Sequence, residues 1–201
     1  MNYILALDQG TSSTKALVVR SDCTIVASGT APLATDYTAR GKAEQDPHAI
    51  YDSVISAARN CLQQMEKSSG VGRNQIACVG IANQRETFVL WNDDGPVGNA
   101  VVWQCKRSVD ICEELKRAGV EPDIRERTGL IIDPYFSGTK ATWLARHDLE
   151  VQGALRRGGD PDDHHNAFAG QVLLHRFQTV DHEAIMAPVG FRVLPGQSEK
   201  H

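Results

Sequence analysis

Seventeen residues near the start of the chain, Tyr3 to Val19, read YILALDQGTSSTKALVV. Two short apolar runs, 3–7 and 15–19, are separated by a carboxylate, a glycine and four hydroxyl residues. Short apolar runs bounded by turn formers are strands rather than helices, and the turn between them makes an antiparallel hairpin. This commits the start of the chain to a sheet. Asp8 ends the first strand. Gly10 lets the backbone come close to another group because it has no Cβ, and successive amides in such a turn form a concavity for an anion. Lys15 adds a positive charge. A carboxylate beside a phosphate is a natural partner for Mg²⁺, often through water. The stretch therefore reads as a phosphate-and-magnesium site. On residue types alone it reads equally as an ordinary polar hairpin, since Gly and Ser are common in turns. It is not a P-loop, because G-x-x-x-x-G-K-[ST] is absent.

Downstream, SDCT (21–24) has turn chemistry and IVASGT (25–30) is a third strand, while residues 33–45 are polar and read as loop. A helix then starts clearly: Asp46 is a good N-cap and Pro47 suits the first helical position. Ile50, Val54, Ala58, Cys61 and Met65 mark its apolar face at helical spacing, and SSGVG ends it. IACVGIA (76–82) reads as a buried strand, TFVLW (87–91) and AVVW (100–103) as further strands, and NDDG (92–95) as a turn. Ser108 is placed to cap a helix carrying Ile111, Cys112 and Leu115. Three strands, a helix, three strands and a helix define an α/β domain, a mixed sheet with helices packed on it.

With 201 residues, 41% of them hydrophobic, the chain can bury one ordinary core and carry an attachment. A formal net charge of -4 argues against a nucleic-acid partner. Five cysteines without a C-x-x-C spacing read as reduced, cytoplasmic thiols rather than a disulfide framework or zinc site. The first residues lack the basic region and cleavage site of a signal peptide, and no apolar stretch is long enough to span a membrane. Near residue 150 the character changes. RRGGDPDDHHNAFAG (156–170) combines turn formers, charges and a histidine pair, and no core-forming period follows. The expected division is a partial domain over 1–150 and a divergent tail over 151–201, either flexible or foreign to the domain, as a frameshift produces. His164 and His165 lie among aspartates, but adjacent histidines point apart on most backbones, so the pair is not read as a metal site.

Ordered motifs carry a resemblance. ALDQGTSSTKAL (6–17) resembles the phosphate-binding hairpin of the FGGY carbohydrate kinases, EQDP (44–47) their E-x-D-P segment, and GIANQRETFVLW (80–91), NAVVWQCKRS (99–108) and GLIIDPYFSGTKATWL (129–144) three signatures of the branch that phosphorylates glycerol. The resemblance implies an actin-like and hexokinase-like (ribonuclease H-like) fold of two α/β domains closing on a cleft. It implies ATP and Mg²⁺, with Asp8 holding the metal through water and Thr11, Ser12, Ser13 and Lys15 at the nucleotide phosphates. It assigns Arg85, Glu86, Trp103 and Tyr135 to a polyol. Taken singly, Arg85–Glu86 reads as a solvated surface pair, Trp103 as core and Tyr135 as part of a turn. Two departures stand out: Lys15 where the family often has Arg, and Lys42 where glycerol-phosphorylating members have an aromatic.

The resemblance also implies what the chain lacks. The general base is an Asp in a G-D-Q motif of the second domain, and neither G-D-Q nor the expected F-G-T-x-D strand-helix segment occurs here. The implied reaction is ATP-dependent phosphorylation of glycerol to glycerol 3-phosphate, carried by a truncated chain expected to be inactive alone. The alternatives are a non-catalytic nucleotide- or polyol-binding fragment and a kinase for another short polyol or a sugar. A sheet cut short leaves an edge and apolar surface, so self-association, or association with a full-length kinase, is the expected consequence.

Overall fold

The computed structural model describes residues 3–38, 41–92 and 95–157. The histidine pair and most of the tail lie outside them. Strands β1 (Tyr3–Gln9), β2 (Ser13–Arg20) and β3 (Ile25–Pro32) form an antiparallel meander, and β6 (Ile76–Asn83) joins β1 in parallel to give a sheet of order β3-β2-β1-β6. The hairpin is in register as its sequence pattern requires, with Leu7 opposite Ala16 and Asp8 opposite Lys15.

Helix α1 (Pro47–Ser69) covers one face of this sheet. Its N-cap is Asp46, whose carboxylate accepts from the His48 amide at 2.8 Å, and it stops at Gly70, in the left-handed conformation with φ 65°. Ile50, Val54, Ala58, Cys61 and Met65 are all buried, as the spacing predicts. Burial in this core pushes the Cys61 thiol up to about 11. The hairpin is tied to the helix by a buried hydroxyl relay. Thr14 Oγ1 donates to Ser53 Oγ at 2.7 Å, and Ser53 passes its own proton to the Ile50 carbonyl.

Three expectations need correction. Residues 33–45 are not simply loop: β4 (Asp36–Thr38) and β5 (Lys42–Gln45) lie there, with Ala43 and Gln45 buried. Their pairing is partly non-local, Glu44 facing Val101 and Gln45 facing Ala100 in β8 (Gly95–Val101), so polar composition hid a strand stabilised from a distance. With β7 (Phe88–Asn92) they form a second sheet of order β4-β5-β8-β7, where one sheet had been expected. Finally, β6 is a strand but not a buried one. Cys78, Val79 and Gly80 are exposed, because among the described residues β6 pairs only with β1 and no helix covers its outer face.

Four shorter helices follow: α2 (Val109–Arg117), α3 (Glu121–Thr128), α4 (Ser137–His147) and α5 (Leu149–Arg157), the last running across residue 150. Ser108 stands at the N-cap of α2, but its hydroxyl pairs with Thr139 Oγ1 at 2.9 Å rather than with the helix. Among the described residues no helix is long and apolar enough to cross a membrane. All five cysteines are unpaired thiols.

β3 and α1 meet at Gly29, where an added Cβ would fall 2.4 Å from both the Ala57 carbonyl oxygen and the Cys61 nitrogen. Those are backbone atoms and cannot rotate aside. Gly29→Ala is expected to destabilise the chain by about 1–3 kcal/mol or more in urea unfolding. Gly80→Ala, whose Cβ meets nothing within 4 Å, should stay close to the parent. Equal midpoints for the two variants would contradict the close approach.

Candidate functional site

β1 and β6 run parallel and end together, Gln9 opposite Asn83. The hairpin turn and the segment 84–87 therefore leave the sheet side by side at strand C-terminal ends, where open α/β sheets place ligand groups.

At the hairpin, the Gly10 amide donates to the Ser13 carbonyl at 3.0 Å, and Leu33 N donates to the Ser12 carbonyl at 2.9 Å. The amides of Thr11 and Ser12 find no acceptor among the described residues. Two orphaned donors at the tip of a glycine turn suit an anion. Ser12, Lys15 and Asp8 are exposed, and the Asp8 carboxylate has no partner among the described residues. No cluster of three or more metal-ligating side chains occurs among the described residues. The exposed Asp8 carboxylate is free to meet an ion whose other ligands come from water or a bound anion.

Behind the turn lies a buried amide cluster. Gln84 Nε2 donates to Gln45 Oε1 at 3.0 Å, to the Gly10 carbonyl at 3.2 Å and to Gln9 Oε1 at 3.3 Å. Gln84 Oε1 accepts from the hydroxyls of Thr87 at 2.9 Å and Thr11 at 3.3 Å. Gln45 Nε2 donates to the Thr11 carbonyl at 2.6 Å and to Thr35 Oγ1 at 2.7 Å. The Thr11 hydroxyl thus has its proton directed into the fold, and its oxygen accepts from the Trp103 indole at 2.9 Å.

That indole begins the second group of residues. Trp103 meets Tyr135 edge to face, ring centroids 5.8 Å apart. Glu86 is left-handed, φ 60°, unusual for a residue with a Cβ. Its Oε2 accepts from the Ser137 amide and hydroxyl, both at 2.7 Å. A carboxylate from the β6–β7 segment therefore caps α4, which has no cap from its own preceding residue. Arg85 is exposed and without a partner among the described residues. Glu86, Trp103 and Tyr135 come together, and Arg85 stands beside them in the chain.

Sequence reasoning passed over Gln84 and Thr87, although both lie inside NQRET, and over Lys140, a charge among the small residues that open α4. Lys140 is completely buried, and burial lowers its ammonium to about 8 from the ordinary 10.5. Nearby, the buried Arg107 pairs with Glu44, and its Nε donates to Cys105 Sγ at 3.0 Å. Lys42 lies with its ammonium 4.8 Å from the ring centroid of Trp143, so an aromatic is present at this place from another element.

The hairpin turn and the group around Trp103 thus sit side by side on this fold, joined by the Trp103–Thr11 hydrogen bond. The sequence pattern of the FGGY family of carbohydrate kinases, N-terminal domain, matches residues 3–165, and the chain belongs to that family. Among its relatives, the chain is 46% identical to the glycerol kinase of Pseudomonas fluorescens over 158 residues, 78% of this chain and 30% of that protein. It is 43% identical to the glycerol kinase of Aliivibrio salmonicida over 181 residues, 89% of this chain and 32% of that protein. Among solved structures, Plasmodium falciparum glycerol kinase with ADP superimposes with a TM-score of 0.71 at 29% identity, over 79% of this chain and 31% of that one. The xylulose kinase of Lactobacillus acidophilus does so with a TM-score of 0.68 at 25% identity, over 76% and 30%. The chain spans less than a third of the length of these relatives.

The geometry generates two expectations. Gln84→Ala leaves several buried polar groups without partners, each costing about 1–3 kcal/mol. Urea unfolding should show a loss of at least that size, and a parent-like midpoint would contradict the cluster. For Lys140, the folded-state value lies below the unfolded one. The group therefore costs stability below pH 8, and the cost fades as pH rises toward 10.5. The unfolding free energy of the parent minus that of Lys140→Met should accordingly rise between these values. A flat difference would mean the amine is not desolvated.

Proposed function

We propose that the chain carries the N-terminal half-site of an ATP-dependent polyol kinase whose reaction converts glycerol to glycerol 3-phosphate. The observation that carries this reading is the hydrogen bond from the Trp103 indole to Thr11. It joins an anion-ready turn to a group of residues suited to a small polyol. The Thr11 and Ser12 amides, the Ser12 and Ser13 hydroxyls and Lys15 would receive nucleotide phosphates. Asp8 would hold Mg²⁺ through water, and the ion would offset phosphate charge. Arg85 would donate to vicinal hydroxyls and the second oxygen of Glu86 would accept from them, while Trp103 and Tyr135 wall the carbon chain. Glycerol is favoured over a sugar because the curated relatives described above, at 46% and 43% identity, are named glycerol kinases.

The chain offers one wall of a cleft. Phosphoryl transfer needs positioning and charge neutralisation in a water-poor site, with a base at the attacking hydroxyl, and the base belongs to a second domain. Residues 1–150 are read as part of the first domain, and the family pattern runs on to residue 165. Among the described residues the outer edge of β6 is unpaired, and such an edge favours association with another chain. Residues 1–201 alone are therefore expected to bind weakly and to form no glycerol 3-phosphate.

Calorimetric titration tests the site. Asp8→Ala should abolish measurable Mg-ADP binding. Arg85→Ala should weaken glycerol roughly ten- to a hundredfold, the worth of a charge-assisted hydrogen bond, with little change for Mg-ADP. Equal losses of both ligands in Arg85→Ala would assign that residue to the fold, and unchanged Mg-ADP affinity in Asp8→Ala would remove the carboxylate from the site.

A further inference from the structure

Lys140 lies in the first turns of α4 and is fully buried. An ammonium has three N–H donors. Here they face three backbone carbonyls: Tyr135 at 2.8 Å, Glu86 at 3.4 Å and Trp103 at 3.4 Å. Those carbonyls come from three separate stretches, namely the loop before α4, the β6–β7 segment and the loop after β8. No carboxylate pairs with Lys140 within ion-pair distance among the described residues. Burying a cation without a paired anion is costly, and an apolar side chain of similar length would fill the space at less cost. Stability alone therefore does not account for a lysine here.

We propose that Lys140 is a positioning residue for the polyol pocket, gathering the backbones of Glu86, Trp103 and Tyr135 so that their side chains keep a fixed spacing. The proposal rests on the polyol reading of those side chains. Three features agree with it. The left-handed backbone of Glu86 turns its carbonyl to the ammonium and its carboxylate to Ser137 of the same helix. Trp103 and Tyr135, both bound through their carbonyls, touch at their rings. The charged and titratable groups facing Lys140 are Glu86, Asp133, Cys105 and Arg107, spread over the same three stretches. Loss of one proton leaves two donors for three carbonyls, so deprotonation releases part of the pocket.

The test uses residues 1–201 labelled with 5-fluorotryptophan, the resonances of Trp91, Trp103 and Trp143 being assigned by Phe substitution. In Lys140→Met the Trp103 fluorine resonance should move while that of Trp91 stays. Glycerol affinity should fall at least tenfold and Mg-ADP affinity should stay within twofold. An unmoved Trp103 resonance, or equal loss of both ligands, would overturn the proposal. If glycerol leaves the parent's Trp103 resonance unshifted, the polyol reading fails by itself. The positioning role is then judged on the Trp103 resonance alone, supported if Lys140→Met moves it and overturned if not. Should Lys140→Met not fold, a pH titration of the Cys105→Ala chain decides, since it removes the facing thiol. There the Trp103 resonance should titrate together with the Lys140 ammonium, and a flat resonance across that transition would overturn the proposal.

Discussion

Gln84 is buried between two turns that arrive from opposite ends of the first half of the chain, and every polar atom of its amide has to be satisfied there. Its nitrogen reaches the hairpin through Gln9 and Gly10 and the second sheet through Gln45. Its oxygen receives the hydroxyls of Thr11 and Thr87. Loss of the whole amide would leave buried groups such as Gln45 Oε1 without a partner, so the cluster depends on this one side chain. The shape of the anion-ready turn and the place of Trp103 follow from it. Thr11 accepts the indole N–H, and Thr87 accepts the Trp103 amide at 3.1 Å.

The two halves of the site differ in how they are held. The hairpin rests on a rigid sheet and on α1, through the Thr14–Ser53 relay and the glycine contact of β3. The group of Glu86, Trp103 and Tyr135 is assembled from loops that contact α4, through Ser137 and Lys140. In both, the candidate side chains are open: Asp8, Lys15 and Arg85 are exposed and Tyr135 is 39% exposed. Charges in water interact weakly compared with the same charges in a closed cleft.

Much of this was legible in local sequence. Alternating burial along β1 and β2, the Asp46 cap and the five-residue apolar stripe of α1 are short-range patterns, and each appears where the residues place it. The family motifs named Glu86, Trp103 and Tyr135, which the fold brings together. What stayed hidden depends on partners far along the chain. β5 reads as a polar loop until β8 pairs with it. β6 reads as buried because its residues are apolar, yet the described chain supplies nothing to cover it. Glu86 reads as a surface carboxylate until the helix it caps is known, and Lys140 as an ordinary helix lysine until three carbonyls are found around it. Hydrogen bonds across thirty or more residues leave no periodicity to read.

The hairpin turn and the group of Glu86, Trp103 and Tyr135 form one unit, joined where the Trp103 indole meets Thr11. A double-mutant cycle on unfolding free energy tests it without any ligand, using Thr11→Val, Trp103→Phe and the pair. The expected coupling is about 1 kcal/mol, the net worth of a typical hydrogen bond. Single losses that add to within about 0.3 kcal/mol, as for residues that do not touch, would contradict it.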